Sequence, residues 1–192
     1  RFFMKKILIF GLPGSGKSTL ANKLSKKLDC VHLNADQVRE RFNDWDFSDD
    51  GRLRQAYRMK ELSAEMRGQY VILDFVCPKI EYRKIISPDI SILMDTVKKS
   101  KFKNTNAIFE KPSQLERIDY VINELNSDKF AQKITEDLVK FDWRKPTVQM
   151  LGRWQPFHDG HYKLFKEVIK KTGQVCIQIR DVQGVDDNPF DF

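Results

Sequence analysis

The stretch Gly-Leu-Pro-Gly-Ser-Gly-Lys-Ser at residues 11–18 decides the fold of this chain. It fits the pattern G-x-x-x-x-G-K-[ST], in which glycines let the backbone bend so that successive N–H groups face phosphate oxygens. Residues 7–10 form an apolar run typical of a buried parallel strand, and after the motif Leu20, Leu24 and Leu28 share one face of a predicted helix. The N-terminus of that helix adds a partial positive charge. We therefore predict a site for a nucleoside triphosphate.

The residues of this phosphate loop have distinct predicted tasks. Lys17 is expected to reach the β- and γ-phosphates of ATP and to act in catalysis, and the Ser18 hydroxyl is expected to bind Mg²⁺. The alternative, an ordinary glycine-rich turn, is disfavoured because every fixed position of the motif is filled and both flanking elements fit. The predicted nucleotide contacts are Gly11, Leu12, Pro13, Gly14, Ser15, Gly16, Lys17, Ser18 and Thr19.

The composition of the 192 residues, 41% hydrophobic and 32% charged, is that of a globular protein. No apolar run approaches the ~20 residues of a membrane span, so we expect no membrane partner. A signal peptide is not expected, because its removal would destroy the phosphate loop. The cysteines Cys30, Cys77 and Cys176 are odd in number and widely spaced. They predict neither a disulfide framework nor a zinc site, and they favour a cytoplasmic location.

Strand-like and helix-like segments alternate over residues 1–141, which predicts an α/β domain with a parallel sheet covered by helices on both faces. Ligands of such sheets bind at the carboxyl ends of the strands. The predicted strands are residues 7–10, 31–34, 70–73, 90–94 and 118–122, and the predicted helices are residues 19–28, 37–42, 52–67 and 130–141.

The pattern restarts in residues 142–192, with a strand predicted over 147–151, a helix over 160–171 and a strand over 174–179. This segment is shorter than a usual domain of ~100 residues or more. We expect it to be the opening β-α-β of a second, truncated α/β domain.

Charged residues that follow the predicted strands indicate that the chain transfers a phosphoryl group as well as binding a nucleotide. Asp36 follows the second strand, where a carboxylate can face an acceptor hydroxyl, although it could instead cap a helix. Arg39 lies one turn on and can bind an acceptor anion or lie on the surface. Asp74 closes the third strand, where it can hold Mg²⁺ through water or face solvent. Arg52 and Arg58 fit an anion clamp and a solvated surface equally well.

A lysine-rich segment contributes to the net charge of +7. A basic lid over a polyanionic ligand, a solvated lysine face and a nucleic-acid contact all fit this charge. The lysines are Lys98, Lys99, Lys101, Lys103 and Lys111.

Residues 5–125 resemble the adenylylsulfate (APS) kinases, which move the γ-phosphate of ATP to the 3′-hydroxyl of adenosine 5′-phosphosulfate. Beyond the phosphate loop, residues 34–39 resemble Asp-Gly-Asp-Asn-x-Arg, and residues 47–49 lead to the two arginines as in that family. Residues 75–78 resemble Phe-Ile-Ser-Pro, and residues 94–96 precede the basic segment. The chain departs from the family at Asn34, Ala35, Gln55 and Cys77, and in a shorter, different lid.

The resemblance implies ATP and Mg²⁺ as cofactors and a small nucleotide as the acceptor. It implies that Asp36 is the base or a metal-side carboxylate, and that Ser18 and Asp74 complete the metal site. Arg39 and Arg52 would bind the phosphosulfate, Phe75 would stack on the acceptor adenine, and Arg58 and Lys101 would complete the acceptor site. A homodimer is compatible with the sequence.

Two other functions remain open for this region. Polynucleotide 5′-hydroxyl kinases share the phosphate loop and an Asn-x-Asp-x-x-Arg-like segment, which Asn34, Asp36 and Arg39 fit. The lysines would suit a nucleic-acid end, but no aromatic and basic interleaving typical of a single-strand groove stands out. A non-catalytic nucleotide-binding module is disfavoured because Lys17, Ser18 and Asp36 are all present.

A second nucleotide site is predicted in residues 152–161, where His158 and His161 precede and enter a helix. An imidazole pair there can bind the phosphates of a triphosphate and stabilise charge during nucleotidyl transfer. Metal binding and a structural turn are the alternatives. The segment resembles the His-x-Gly-His nucleotidyltransferases, especially the nicotinamide-mononucleotide adenylyltransferase type, which implies a Rossmann-like fold. A kinase–adenylyltransferase fusion in nicotinamide metabolism is an open alternative.

Overall fold

The computed structural model describes residues 4–139, 144, 147–152, 154 and 157–179. The chain divides into two compact units, one ending at Leu138 and the other beginning at Val139. The strands of the first unit are β1 (Lys5–Gly11), β2 (Val31–Asn34), β3 (Tyr70–Asp74), β4 (Ile90–Met94) and β5 (Tyr120–Ile122). Its helices are α1 (Lys17–Leu28), α2 (Ala35–Arg41), α3 (Asp49–Glu65), α4 (Ile80–Ile86), α5 (Lys103–Ile108) and α6 (Ser127–Val139).

The five strands of the first unit form one parallel sheet in the order β2-β3-β1-β4-β5. β1 is central, so the phosphate loop that follows it leaves the sheet at its middle. The β2–β3 register pairs Asn34 with Asp74, which brings the carboxyl ends of two neighbouring strands together. The predicted parallel α/β fold is confirmed.

Two apolar layers cover the faces of this sheet, because successive side chains of a strand point to opposite faces. Ile7 and Ile9 of β1 pack with α1 and α6 residues such as Leu20 and Ile134. Leu8 and Phe10 pack in the other layer, whose members come from α2, α3 and α4 and include Val38, Met59 and Ile86. These two layers bury β1 from Ile7 to Gly11 and fix the direction in which the phosphate loop begins.

The helices α4 and α5 were not predicted from the sequence. α5 lies in the lysine-rich segment, and Thr105 is its one buried residue, so it lacks an apolar stripe. Local side-chain hydrogen bonds close the turn at its start instead. The Asn106 side chain accepts from the backbone N–H and the hydroxyl of Ser100 and donates to the Ser100 carbonyl oxygen.

The second unit contains β6 (Val148–Gly152), α7 (Asp159–Thr172) and β7 (Val175–Ile179). Its two strands pair in parallel, as the predicted β-α-β order requires. Gly173 ends α7 with a φ of 83°, a left-handed conformation that glycine adopts readily. Among the described residues of both units, no helix combines the length and the apolar character needed to cross a membrane.

Candidate active site

The phosphate loop between β1 and α1 is held by close backbone contacts. Gly11, Gly14 and Gly16 have φ values of 147°, 81° and 87°. A Cβ atom at Gly11 would lie 2.5 Å from the carbonyl oxygen of Met94, so no larger residue fits there. The Thr96 hydroxyl, just beyond β4, donates to the carbonyl oxygen of Ser15 at 2.8 Å. The loop is thereby tied to the neighbouring strand.

Lys17 lies almost buried under this loop, with 8% of its surface exposed. Its ammonium group donates to the carbonyl oxygen of Leu12 at 3.0 Å. Burial lowers the pKa of Lys17, and the carboxylates of Asp74 and Asp36 partly oppose that shift. A phosphate chain beside Lys17 would supply the negative charge that favours its protonated form.

Asn34 connects α2, Ser18 and Asp74. Its Oδ1 atom accepts from the backbone N–H groups of Asp36 and Gln37 at 3.0 and 3.1 Å, so Asn34 is the N-cap of α2. Its Nδ2 atom donates to Asp74 Oδ2 at 2.7 Å and to Ser18 Oγ at 3.3 Å. Asp36 is therefore not the helix cap, and its exposed side chain lines the cavity described below.

Asp74 is buried, with 2% of its surface exposed. Burial alone would raise its pKa, but the polar neighbours His32, Ser18 and Asn34 and the charge of Lys17 together lower the pKa of this carboxyl. Asp74 is thus held ionised rather than facing solvent.

His32 is a polar neighbour of Asp74 that the sequence analysis missed. Its Nε2 atom lies 3.4 Å from Asp74 Oδ2. The available signal was a histidine inside the predicted strand over residues 31–34, but the contact depends on β2 lying beside β3.

The donors beside the phosphate loop suit Mg²⁺, which prefers hard oxygen ligands and shares its site with substrate phosphates and water. Ser18 offers a hydroxyl and Asp74 an ionised carboxylate. No cluster of three or more acidic, histidine or cysteine side chains able to hold a metal occurs in the described parts of the chain. A magnesium ion here would therefore depend on the nucleotide phosphates for the rest of its coordination.

A cavity of about 790 Å³ extends from the phosphate loop across the ends of β2 and β3. It brings together residues predicted for nucleotide, metal, catalysis and acceptor, and it also includes aromatic residues that the sequence analysis did not assign. Its lining includes Lys17, Ser18, Asn34, Asp36, Arg39, Trp45, Phe47, Arg52, Asp74, Phe75, Lys101, Phe102, Lys103 and Thr105.

Two predicted acceptor arginines are engaged elsewhere. Arg39 touches the cavity, but its guanidinium donates to the carbonyl oxygens of Asp44 and Asp46 at 2.9 and 2.8 Å and lies 3.4 Å from that of Gly51. A buried guanidinium needs such partners, so Arg39 holds the 43–48 loop. Arg58 does not line the cavity; it pairs with Asp44 Oδ2 at 2.8 Å.

Arg52, Phe75 and Lys101 do lie at the cavity, as predicted. Arg52 is 8% exposed and donates through Nε to the carbonyl oxygen of Phe47. Phe75 is 6% exposed, whereas Trp45 is 52% exposed at the same cavity. Aromatic faces together with cationic groups suit a flat, anionic acceptor.

A smaller cavity of about 230 Å³ begins at Gly16 and Thr19 of the phosphate loop. Apolar side chains of Ile122, Leu125 and Phe130 line it together with polar groups of the β5–α6 connection. The sequence analysis did not assign these residues, because nothing in the sequence shows that β5 and α6 reach the phosphate loop.

In the second unit, the rings of His158 and His161 stack with centroids 3.8 Å apart. His158 is the N-cap of α7, and its Nδ1 atom accepts from the backbone N–H of Gly160 at 3.1 Å. Its Nε2 atom is therefore the nitrogen that can donate to a ligand. His161 meets Trp154 edge-on at 5.3 Å, and within the described residues its buried Nδ1 atom has no hydrogen-bond partner.

Comparison with known proteins shows that parts of this chain are similar to two kinds of enzyme. A family model described as an AAA domain matches residues 7–83. An adenylyl-sulfate kinase of Bacillus pumilus is 38% identical over 88 residues, which cover 42% of this chain and 45% of that protein. A nicotinamide-nucleotide adenylyltransferase of Methanococcus aeolicus is 42% identical over 43 residues, 21% of this chain and 25% of that protein. The chain thus spans less than half of either relative.

Solved structures share the fold of the first unit. The APS kinase of Mycobacterium tuberculosis in complex with AMPPNP and APS superposes with a TM-score of 0.59 at 19% identity, covering 69% of this chain and 96% of that one. Shikimate kinase from Acinetobacter baumannii in complex with shikimate gives a TM-score of 0.53 at 19% identity, with coverages of 73% and 97%. The first unit therefore has the fold of P-loop kinases and a nucleotide-binding loop, and the predicted resemblance to APS kinases is confirmed.

Proposed function

We propose that the first unit is an ATP- and magnesium-dependent kinase whose acceptor is the 3′-hydroxyl of adenosine 5′-phosphosulfate. The observation that carries this proposal is the single cavity shared by the phosphate loop, two carboxylates and a cationic, aromatic acceptor region. The 38% identity to an adenylyl-sulfate kinase supports the choice of acceptor.

In the proposed reaction, the acceptor oxygen attacks the γ-phosphorus of ATP and ADP leaves. Asp36, exposed at the cavity, accepts the proton of the acceptor hydroxyl. Lys17 stabilises the charge on the transferred phosphoryl group. Mg²⁺ held by the Ser18 hydroxyl, and through water by Asp74, would neutralise charge on the phosphate oxygens.

The proposed acceptor contacts follow from what the cavity offers. Arg52 and Lys101 would bind the phosphosulfate, and Phe75 would stack on the acceptor base. We assign Arg39 to holding the 43–48 loop rather than to the anion, because its guanidinium already meets backbone carbonyl oxygens. The adenine of ATP would enter the smaller cavity beside Gly16 and Thr19.

The test is an acceptor assay on the intact chain, with ADP release as the readout. Mg·ATP is supplied with adenosine 5′-phosphosulfate, with a 5′-hydroxyl oligonucleotide or with nicotinamide riboside. ADP should form only with the first acceptor, and Lys17→Met should abolish its formation. Turnover with either of the other acceptors alone would replace our choice by the polynucleotide kinase or the nicotinamide-metabolism alternative.

For residues 142–192 of the second unit we propose a nucleotidyltransferase-like segment that binds a triphosphate through His158 and His161. The 42% identity to an adenylyltransferase and the paired rings at the start of α7 support this assignment. Lys17→Met removes the lysine of the phosphate loop, so ATP that still binds to this variant would report the second site. Adding His158→Ala should remove that remaining binding. Unchanged binding in the double variant would contradict the assignment.

A further inference from the structure

His32 lies between two other side chains that lead to the phosphate loop. Its Nδ1 atom is 3.0 Å from Asn22 Oδ1 on α1, and its Nε2 atom is 3.4 Å from Asp74 Oδ2 on β3. The side chain is 13% exposed. No described group makes a well-aligned hydrogen bond to the buried Nε2 atom, so Asp74 is the partner that the geometry offers it.

The hydrogen on the ring can be assigned from its neighbours. An ionised Asp74 carboxylate only accepts hydrogen bonds, so Nε2 must carry the proton that faces it. The other ring nitrogen, Nδ1, faces Asn22 at 3.0 Å, and the donor and acceptor of that contact depend on the tautomer of the ring and on the orientation of the amide.

Two side chains of β2 therefore converge on one oxygen of Asp74. Asn34 Nδ2 lies 2.7 Å and His32 Nε2 lies 3.4 Å from Oδ2, and neither contact uses Oδ1. Donors placed around a single oxygen fix the plane of a carboxylate, as outer-shell partners do for metal ligands. Oδ1 would then be the oxygen available to a magnesium ion that Ser18 helps to hold.

We infer that His32 is a positioning residue that orients the Asp74 carboxylate toward Mg²⁺. This inference rests on the proposed function, because it requires a magnesium–nucleotide complex at the phosphate loop. His32 touches neither nucleotide nor acceptor in this scheme and acts only through Asp74. A contact of 3.4 Å is longer than an ideal N–H···O bond of ~2.9 Å, and such bonds tighten when a catalytic site is loaded.

The experiment measures the affinity of the intact chain for ADP by calorimetry, once with Mg²⁺ and once with EDTA. His32→Leu removes the donor to Asp74, whereas His32→Gln keeps an amide N–H group on a side chain of similar reach. Val31→Ala is the matched control, because Val31 lies on β2 with 40% exposure and its side chain alternates to the other face.

We expect His32→Leu to reduce the magnesium-dependent gain in ADP affinity about tenfold, the lower end of outer-shell effects, with unchanged affinity in EDTA. His32→Gln should retain most of the gain, and Val31→Ala should match the wild type. Equal losses with Mg²⁺ and EDTA, no loss at all, or a His32→Gln variant as weak as His32→Leu would each overturn the inference. A wild-type chain that binds no ADP would instead overturn the proposed kinase function.

Discussion

Asn34 stands where the APS kinases carry the first aspartate of Asp-Gly-Asp-Asn-x-Arg, and its contacts explain how an amide serves there. One side chain accepts two backbone N–H groups of α2 and donates to Asp74 at 2.7 Å. An ionised aspartate could accept the same N–H groups but could not donate to a second carboxylate. Like charges at this distance would raise the pKa of one of the two acids.

Asp36→Asn tests the proposed base. The change keeps the size of the side chain but removes its ability to accept a proton, so turnover should fall by about 10²-fold or more while ADP affinity stays within a few-fold. Steady-state rates and calorimetry check the two parts. Glu40→Gln, an exposed acid one turn on in α2, is the matched control and should behave as the wild type. Undiminished turnover in Asp36→Asn would remove that residue from the chemistry.

The acid stability of the protein should depend on Asp74. Its pKa in the fold is lowered below that of an unfolded aspartate, ~3.9, so the ionised carboxylate stabilises the fold above that value. That contribution is lost as the pH falls through the lowered pKa. Urea unfolding between about pH 5 and pH 2 should show a steeper loss of free energy of unfolding for the wild type than for Asp74→Asn. Parallel pH profiles would contradict the lowered pKa.

At the scale of elements, α2 and α3 each begin with a side-chain cap that holds one wall of the cavity. Asn34 caps α2, and the Ser48 hydroxyl accepts from the backbone N–H of Gly51 at 3.2 Å to cap α3. The 43–48 loop between the helices is held by Arg39, and by Arg54 and Arg58 through Asp44.

Variants of the two caps should distinguish an effect on the stability of the fold from an effect on catalysis. Asn34→Ala and Ser48→Ala each remove an N-cap, so each should lower the free energy of unfolding by about 1 kcal/mol. Only Asn34→Ala also removes a donor to Asp74, so only it should weaken the magnesium-dependent activity. Chemical denaturation and initial rates measure the two effects, and equal activity losses in both variants would show that Asn34 contributes only as a cap.

The elements that the sequence predicts well are those with local signals. β1 and the phosphate loop follow from an apolar run and a fixed glycine pattern, and α1 follows from its leucines. α5 could not be predicted, because its turn is closed by Ser100 and Asn106 rather than by hydrophobic periodicity.

Residues of the candidate site were predictable from local position only where they follow their own strand. Asp36 and Asp74 were predicted in that way and Phe75 from the resemblance to APS kinases, and all three line the cavity. The partners of Arg39 and His32 depend on loop closure and on strand order, and neither is encoded locally.

At the scale of the whole molecule, the boundary between the compact units separates the two proposed sites. The first unit ends at Leu138, and the histidine pair lies in the second. Each site uses the N-terminus of its own helix, α1 or α7.

The kinase reaction should therefore be independent of the histidine pair. Replacing His158 and His161 by alanine in the intact chain should leave the rate of ADP formation with the preferred acceptor within about twofold, because the two proposed sites share no residue and independent sites behave additively. Thermal unfolding of the variant checks that the first unit stays folded. A many-fold loss of turnover without a change in that transition would show that the two units communicate.

The hydroxyl of Thr96, bonded to the carbonyl oxygen of Ser15, has a consequence for how fast ligand enters. A loop already braced against its neighbouring strand presents its amide groups in place, so little ordering entropy opposes capture of an anion. The association rate constant of the nucleotide should then approach the diffusion limit, so product release would be slower than nucleotide binding.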